Sequence, residues 1–312
     1  MKHYLSLALA LLLAACTSMA PGSGADRIAA LRSQFLDVRD PHVMVVAHRA
    51  CWRAGAPENS LAAIEACAAI GADMIEIDVA LSRDGVPILL HDPSLDRTTG
   101  GNGLARDHDL SDIRTLRLRA GAGGANAPFT QERVPTLAEA LQAARGKFLI
   151  NLDVKGDAYA PAFAVVERLG MQDQILMKMN AHADDPALVG APFHGRTLFM
   201  PVILECAPGV LNGACAPSLP DEIASFARYE PAAYELVFTS EAFLAQLRGA
   251  ANRRVWINAL NPAFAAGMTD ARAIEDPDGN WGRMIALGAT VIQTDEPRRL
   301  IDYLEQRGRR GG

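Results

Sequence analysis

The chain has 312 residues, half of them hydrophobic, and a formal charge of −6 at pH 7. That is enough apolar material for one large α/β barrel or two ordinary domains. The negative balance and the lack of any long Lys/Arg run exclude a nucleic-acid partner, because phosphate-backbone binding needs a basic stripe; no protein partner is inferred.

In chain order, the first element is an apolar run from Tyr4 to Ala15 behind Lys2. It is too short to span a bilayer and reads as a signal peptide over residues 1–15. It closes on Leu13-Ala14-Ala15-Cys16, which resembles the bacterial lipoprotein box. The resemblance implies a lipidated Cys16 as the new N-terminus, a stable anchor when more than one acyl chain is attached. Thr17 after the cysteine then suits the outer membrane, facing the periplasm; the alternative is a plain secreted protein. Residues 16–40 are read as lipidated cysteine, tether and N-terminal segment, flexible to about Gly24. In an exported chain Cys51, Cys67, Cys206 and Cys215 can pair in three ways. Cys206 and Cys215 bracket a short loop and form the favoured local bridge.

From residue 41 onward apolar runs alternate with helix-like stretches. The runs are 43–48, 74–79, 148–154, 174–179, 197–203, 235–240, 254–259 and 290–295; helices are expected over 60–70, 136–144, 161–169, 241–247 and 297–305. Thr136 and Glu139 match a capping box. Such alternation implies parallel strands, and eight units predict a TIM-type (β/α)8 barrel as one domain over 41–312. A doubly wound sheet is the alternative, but no phosphate-binding glycine fingerprint follows the first strand. One stretch departs from the alternation: Glu76 to Asp92 reads as a hairpin about Asp84-Gly85. A two-residue turn there predicts Arg83 opposite Val86 and Asp78 opposite His91.

The strand ends carry the chemistry. His48 and Arg49 end the first strand, Glu76 and Asp78 the second, Asp153 and Lys155 the third, and barrel closure brings such ends to one mouth. Three carboxylates without clustered cysteines suit a hard divalent cation, Ca²⁺ or Mg²⁺. His48 and His91 suit proton transfer near neutral pH. Arg49 and Lys155 suit an anion, and phosphate is the one that also binds a metal. Each residue alone is commonly scaffold or an ordinary ion pair; their sorting to one end of the strands argues for a site.

These segments resemble the glycerophosphodiester phosphodiesterase family through AHRA (47–50), PENS (57–60), EIDVALSRDGVPILLHD (76–92), LDRTTGGNG (95–103), VPTLAEAL (134–141), INLDVK (150–155), VWIN (255–258) and IQTDEP (292–297). The resemblance implies a TIM barrel with an insertion over about 93–133. It implies His48 and His91 as general acid and base, and Arg49 and Lys155 as phosphate contacts. Glu76, Asp78 and Asp153 become metal ligands, with Asp153 standing where the family usually has a glutamate. Glu58 and Asn59 fall in a supporting segment. Ala50 replaces a family glycine. Lys178 stands where the family has a different pair, either meeting a second anionic group or serving as a solvated rim charge. Trp52 and Trp256 are expected to line the alcohol side, against core packing as the default for tryptophan. AGAGGANAP (120–128) is read as a mobile lid, and His42, His108, His182 and His194 as surface residues.

The function implied is metal-dependent hydrolysis of a small-molecule phosphodiester to glycerol 3-phosphate and an alcohol. Two alternatives differ in class. A lipid-directed phospholipase or lyase would stop at a cyclic phosphate, and an apolar rim would favour it. A lipoprotein that only binds phosphodiesters would need neither histidine.

Overall fold

The computed structural model describes residues 23–207, 214–247 and 252–311; the expected signal peptide (1–15) and Cys16 lie outside them. The eight expected strands are present as β1 (Met44–Ala47), β2 (Met74–Leu81), β3 (Leu149–Val154), β4 (Ile175–Met179), β5 (Leu198–Glu205), β6 (Ala233–Val237), β7 (Arg254–Asn258) and β8 (Val291–Thr294). Each pairs in parallel with the next, and β1 pairs with both β2 and β8. The sheet is therefore a closed (β/α)8 barrel with no free edge. The five expected helices form over Leu61–Ile70, Leu137–Ala144, Tyr159–Leu169, Glu241–Ala245 and Pro297–Gln306. The Thr136/Glu139 capping box is made in both directions.

Strand alternation divides the core in two. Val43, Val45, Ala47, Ile75, Ile77 and Val79 join the layer between barrel and helices. Met44, Val46, Met74, Leu149, Leu176, Met200, Trp256 and Val291 form a second cluster in the barrel interior. Because side chains alternate across a strand, extending each inward series toward the C-terminal end reaches His48, Glu76 and Asp78, Asp153, Lys178, Glu235, Asn258 and Asp295. The barrel interior is thus apolar at the bottom and polar at the mouth.

Beyond the tether expected to about Gly24, the N-terminal segment forms a helix, Gly24–Leu36, whose Ser23/Asp26 pair makes a capping box. Its buried Ile28, Leu31 and Phe35, at helical spacing, close the bottom of the barrel against the inner cluster. Arg254 is fully buried there and donates to the carbonyls of Phe35, Asp40, His42, Gln34 and Asp37. One guanidinium fork serves carbonyl acceptors at and beyond the helix C-terminus, of which that of Asp37 also takes the Asp40 N–H.

The hairpin register differs by one residue from the two-residue turn. Val79 pairs Leu89 and Leu81 pairs Pro87, so Asp78 lies opposite Leu90 and bonds its backbone. Ser82 and Val86 instead close a three-residue loop in which Gly85 adopts φ 76°, a conformation that suits glycine. The insertion over 93–133 packs Leu95, Ala105, Ile113 and Leu118 into a small cluster with Ile88, Leu90 and Val134 from its flanks. The stretch read as a lid is bonded on both sides. Gly121 exchanges backbone hydrogen bonds with Ala56 and Glu58, and Gly124 donates to the Arg97 carbonyl. That is the geometry of a wall, with Ala122 at the edge of the mouth.

Both disulfides are local: Cys206–Cys215, as favoured, and Cys51–Cys67. Two histidines expected at the surface are not there. His42 is buried against Asp73, and His194 packs among Phe193, Phe199 and Tyr229. Asp73 draws His42 in and the aromatic cluster draws His194 in, contacts that only the tertiary structure makes.

Candidate active site

At the C-terminal end of the barrel a cavity of about 1170 Å³ is lined by His48, Arg49, Asp78, His91, Asp153 and Lys155, together with Glu58 and Lys178. Glu76, Asp78 and Asp153 each offer an oxygen within 4.8 Å of the other two. The β2–β3 register makes this possible by placing Asp78 directly beside Asp153. Burial, and next the Asp78 charge, push Glu76 up to about 7. Burial also works against the Asp78 and Asp153 carboxylates, but Lys155 for the first and Lys178 with Lys155 for the second outweigh it and hold both below the ordinary range. Acids crowded this closely leave repulsion that a cation relieves, and three hard oxygen donors fit a divalent ion. The cluster could hold one.

The cations form a second layer. Lys155 Nζ lies 2.9 Å from Asp78 and 3.0 Å from Asp153. Lys178 is buried, 3.0 Å from Asp153 and 3.4 Å from Glu235, which removes its reading as a solvated rim charge. Arg49 donates from Nη1 to both oxygens of Glu58, each at 3.0 Å. Glu58 also takes Arg97, at 2.7 and 2.9 Å. Its carboxylate is therefore saturated by arginines and orients them.

Each histidine is backed by a carboxylate. His48 Nδ1 lies 2.8 Å from Asp295, and His91 Nδ1 lies 2.7 Å from Asp92. An ionised carboxylate only accepts, so the proton sits on each Nδ1 and Nε2 is left for chemistry. Arg49 Nε approaches the His48 Nε2 at 3.1 Å. Burial opposes the charged form of His48, yet the Asp295 hydrogen bond and the charges of Glu76 and Asp295 raise it above its ordinary value. Behind Asp295 stands Asp270, which accepts from the Asp295 backbone, Thr294 and Trp281.

Arg49 and Ala50 both adopt left-handed backbone, φ 52° and 62°. The Ala50 N–H donates to the Glu76 carbonyl and the Arg49 N–H to the Glu76 carboxylate. Asn59, at φ 54°, accepts from the Asp78 backbone and donates to its carboxylate at 2.8 Å. The alanine has kept the conformation that a glycine would adopt freely.

Of the residues expected from the sequence, His48, His91, Arg49, Glu76, Asp78, Asp153, Lys155, Lys178 and Glu58 meet at this mouth. Trp256 does not. It is fully buried in the apolar layer below and donates to Asn258 and Gln293; its position in β7 is two residues too deep, so it supports the floor while Trp52 lines the wall. Asp92, Arg97, Glu235, Asn258 and Asp295 were not singled out. Asp92, Arg97, Asn258 and Asp295 stand inside quoted motifs, but their roles depend on contacts across the barrel.

A family model for the glycerophosphoryl diester phosphodiesterase family matches residues 48–201, and a domain of unknown function matches 215–304. Both matches fall within the one barrel. The mouse glycerophosphodiester phosphodiesterase 1 is 43% identical over 126 residues, 40% of this chain and 37% of that protein. A glycerophosphodiester phosphodiesterase of Caldanaerobacter subterraneus is 39% identical over 156 residues, 50% of this chain and 60% of its own length. The matches thus span less than two thirds of these curated relatives. Among solved structures, an Oleispira antarctica phosphodiesterase in complex with the product sn-glycerol-3-phosphate aligns with a TM-score of 0.61 at 21% identity, covering 84% of this chain and 96% of that one. Matching motifs, curated relatives and a shared barrel lead to one conclusion: the chain belongs to the glycerophosphoryl diester phosphodiesterase family.

Proposed function

We propose that the chain hydrolyses glycerophosphodiesters to glycerol 3-phosphate and an alcohol. One observation carries the reading: two imidazoles, each held by a carboxylate through Nδ1, line the same cavity as a three-carboxylate cluster and its cations. Family membership and the product complex of the fold relative support it.

In this reading Glu76, Asp78 and Asp153 hold a divalent cation, Ca²⁺ or Mg²⁺, which supplies Lewis-acid polarisation of a phosphoryl oxygen. Arg49 and Lys155 stabilise charge developing on the phosphoryl oxygens. One histidine accepts the proton of the attacking hydroxyl or water, and the other protonates the departing alcohol at Nε2. Glu58 and Asn59 hold Arg49 and Asp78 in place, and Lys178 ties Asp153 to Glu235. The paired histidines also weigh against a pure binding protein, which needs no proton relay.

The test is glycerol 3-phosphate release from a panel of glycerophosphodiesters. Chelation is expected to abolish release and one hard cation to restore it. His48→Asn and His91→Asn are each expected to lower kcat by about 10²–10⁴-fold. Release that ignores the chelator overturns the metal, and unchanged kcat in either variant overturns the histidine assignment.

We further propose export and anchoring through Cys16, resting on the N-terminal sequence alone. Mass spectrometry of the mature protein should find an acylated N-terminal cysteine, and Cys16→Ala should release a soluble form. An unmodified or uncleaved N-terminus removes the anchor without touching the chemistry.

A further inference from the structure

The two histidines are joined by a chain of charged contacts that passes through one residue of the insertion. Arg97 donates to Asp92 from Nε at 2.7 Å and Nη2 at 2.9 Å, and to Glu58 from Nη2 at 2.7 Å and Nη1 at 2.9 Å. Asp92 is the carboxylate on His91 Nδ1, and Glu58 the one that holds Arg49, whose Nε reaches His48. A planar guanidinium fixes both carboxylates against one rigid set of donors, whereas a lysine ammonium would set their charge but not their orientation. The Arg97 hydrogen bonds, against the effect of burial, hold the Asp92 carboxyl well below its ordinary range, which keeps it an acceptor at His91.

Arg97 is itself gripped at both ends. The Gly124 N–H donates to its carbonyl at 2.7 Å, and its Nη1 donates to the Ala122 carbonyl. Gly123, between them, adopts φ 73° and leaves no room for a β-carbon against the Arg97 carbonyl, so this close approach requires glycine. Arg49, Glu58 and His91 line the cavity and Arg97 does not; it reaches the substrate only through them. We propose that Arg97 is a positioning residue that fixes the His91 imidazole and the Arg49 guanidinium relative to one another, which makes the insertion part of the catalytic apparatus. This rests on the phosphodiesterase reading and adds a residue to it.

The experiment measures kcat and KM for glycerol 3-phosphate release from the most active glycerophosphodiester of the panel, with thermal unfolding of each variant. Arg97→Met is expected to lower kcat about 10²-fold. On an Asp92→Asn or a Glu58→Gln background the same change is expected to cost at least about fivefold less, because one arm of the fork is already lost. Arg97→Lys is expected to match the wild-type unfolding temperature while most of the kcat loss persists. Arg133→Ala removes an arginine that donates to the Arg114 and Thr115 carbonyls within the insertion; it is expected to lower the unfolding temperature and leave kcat unchanged. Full kcat in Arg97→Lys, additive losses in either double variant, or an Arg133→Ala defect as deep as that of Arg97→Met overturns the inference and leaves the phosphodiesterase reading intact. A wild-type chain that releases no glycerol 3-phosphate overturns that reading, and this inference with it.

Discussion

A methyl group at position 50 sets a small conflict at the centre of the site. L-residues in left-handed backbone cost roughly 1–2 kcal/mol, and Ala50 sits at φ 62°. The N–H of Ala50 and that of Arg49 are both tied to Glu76, so relaxing the turn would displace a candidate metal ligand. Ala50→Gly removes the strain but adds about 0.4–1 kcal/mol of unfolded-state entropy. We expect a net gain of about 0.5 kcal/mol, read from the urea midpoint. Asp295 offers a second prediction. It holds the proton on the His48 Nδ1 at 2.8 Å, and its charge helps raise His48 against the opposing effect of burial. Asp295→Asn should therefore lower the His48 pKa in an NMR titration and reduce kcat by about 10²-fold or more. A raised His48 pKa would contradict the assignment.

Among the elements, the segment after β1 depends on a staple. Cys51 follows the two left-handed residues directly, and its disulfide to Cys67 fastens that segment to helix Leu61–Ile70 across a separation of 16 residues. Closing a loop of that size is worth about 3 kcal/mol in the chain-entropy view. The double variant Cys51→Ser/Cys67→Ser should lose about that much in guanidinium unfolding, and its KM should rise because Arg49 lies two residues away. Loss of stability with an unchanged KM would confine the staple to the fold. The hairpin shows how an element can be legible while its register is not. Strand, turn and strand were all readable from Glu76 to Asp92. The extra loop residue was decided by Ser82, whose hydroxyl accepts from Val86 and donates to Asp84, and a one-residue slip reverses every side chain.

For the whole molecule, the bottom of the barrel balances the mouth. Arg254 joins β7 to the N-terminal helix through five carbonyls. Arg254→Met removes the guanidinium donor from these carbonyls, of which only that of Asp37 keeps a backbone N–H, from Asp40, and should cost about 3 kcal/mol, measured by thermal unfolding. Asp73 ties the segment before β1 and the segment after the last helix to the barrel, accepting from the Val45 backbone and pairing with His42 and Arg310. Burial works against its charge, but His42 and Arg310 outweigh it and hold it below the ordinary value of 3.8. A depressed carboxylate contributes stability above pH 3.8 that is lost as pH falls through its folded value. Asp73→Asn should therefore be less stable at neutral pH and less sensitive to acid below pH 4, as followed by circular dichroism.

Local rules were enough for the strands, most helices and the order of the motifs. Apolar periodicity and caps act over a few residues, and the closed barrel followed from counting units. His48, Asp78 and Asp153 were legible for the same reason, since each ends a readable strand. What lay beyond the sequence was every contact between residues far apart in the chain. Asp295 meets His48 across 247 positions and Glu58 shares two arginines, while Trp256 lies one layer below the mouth and the β5–β6 wall is apolar. Such pairings depend on barrel register and depth, which long-range packing alone decides.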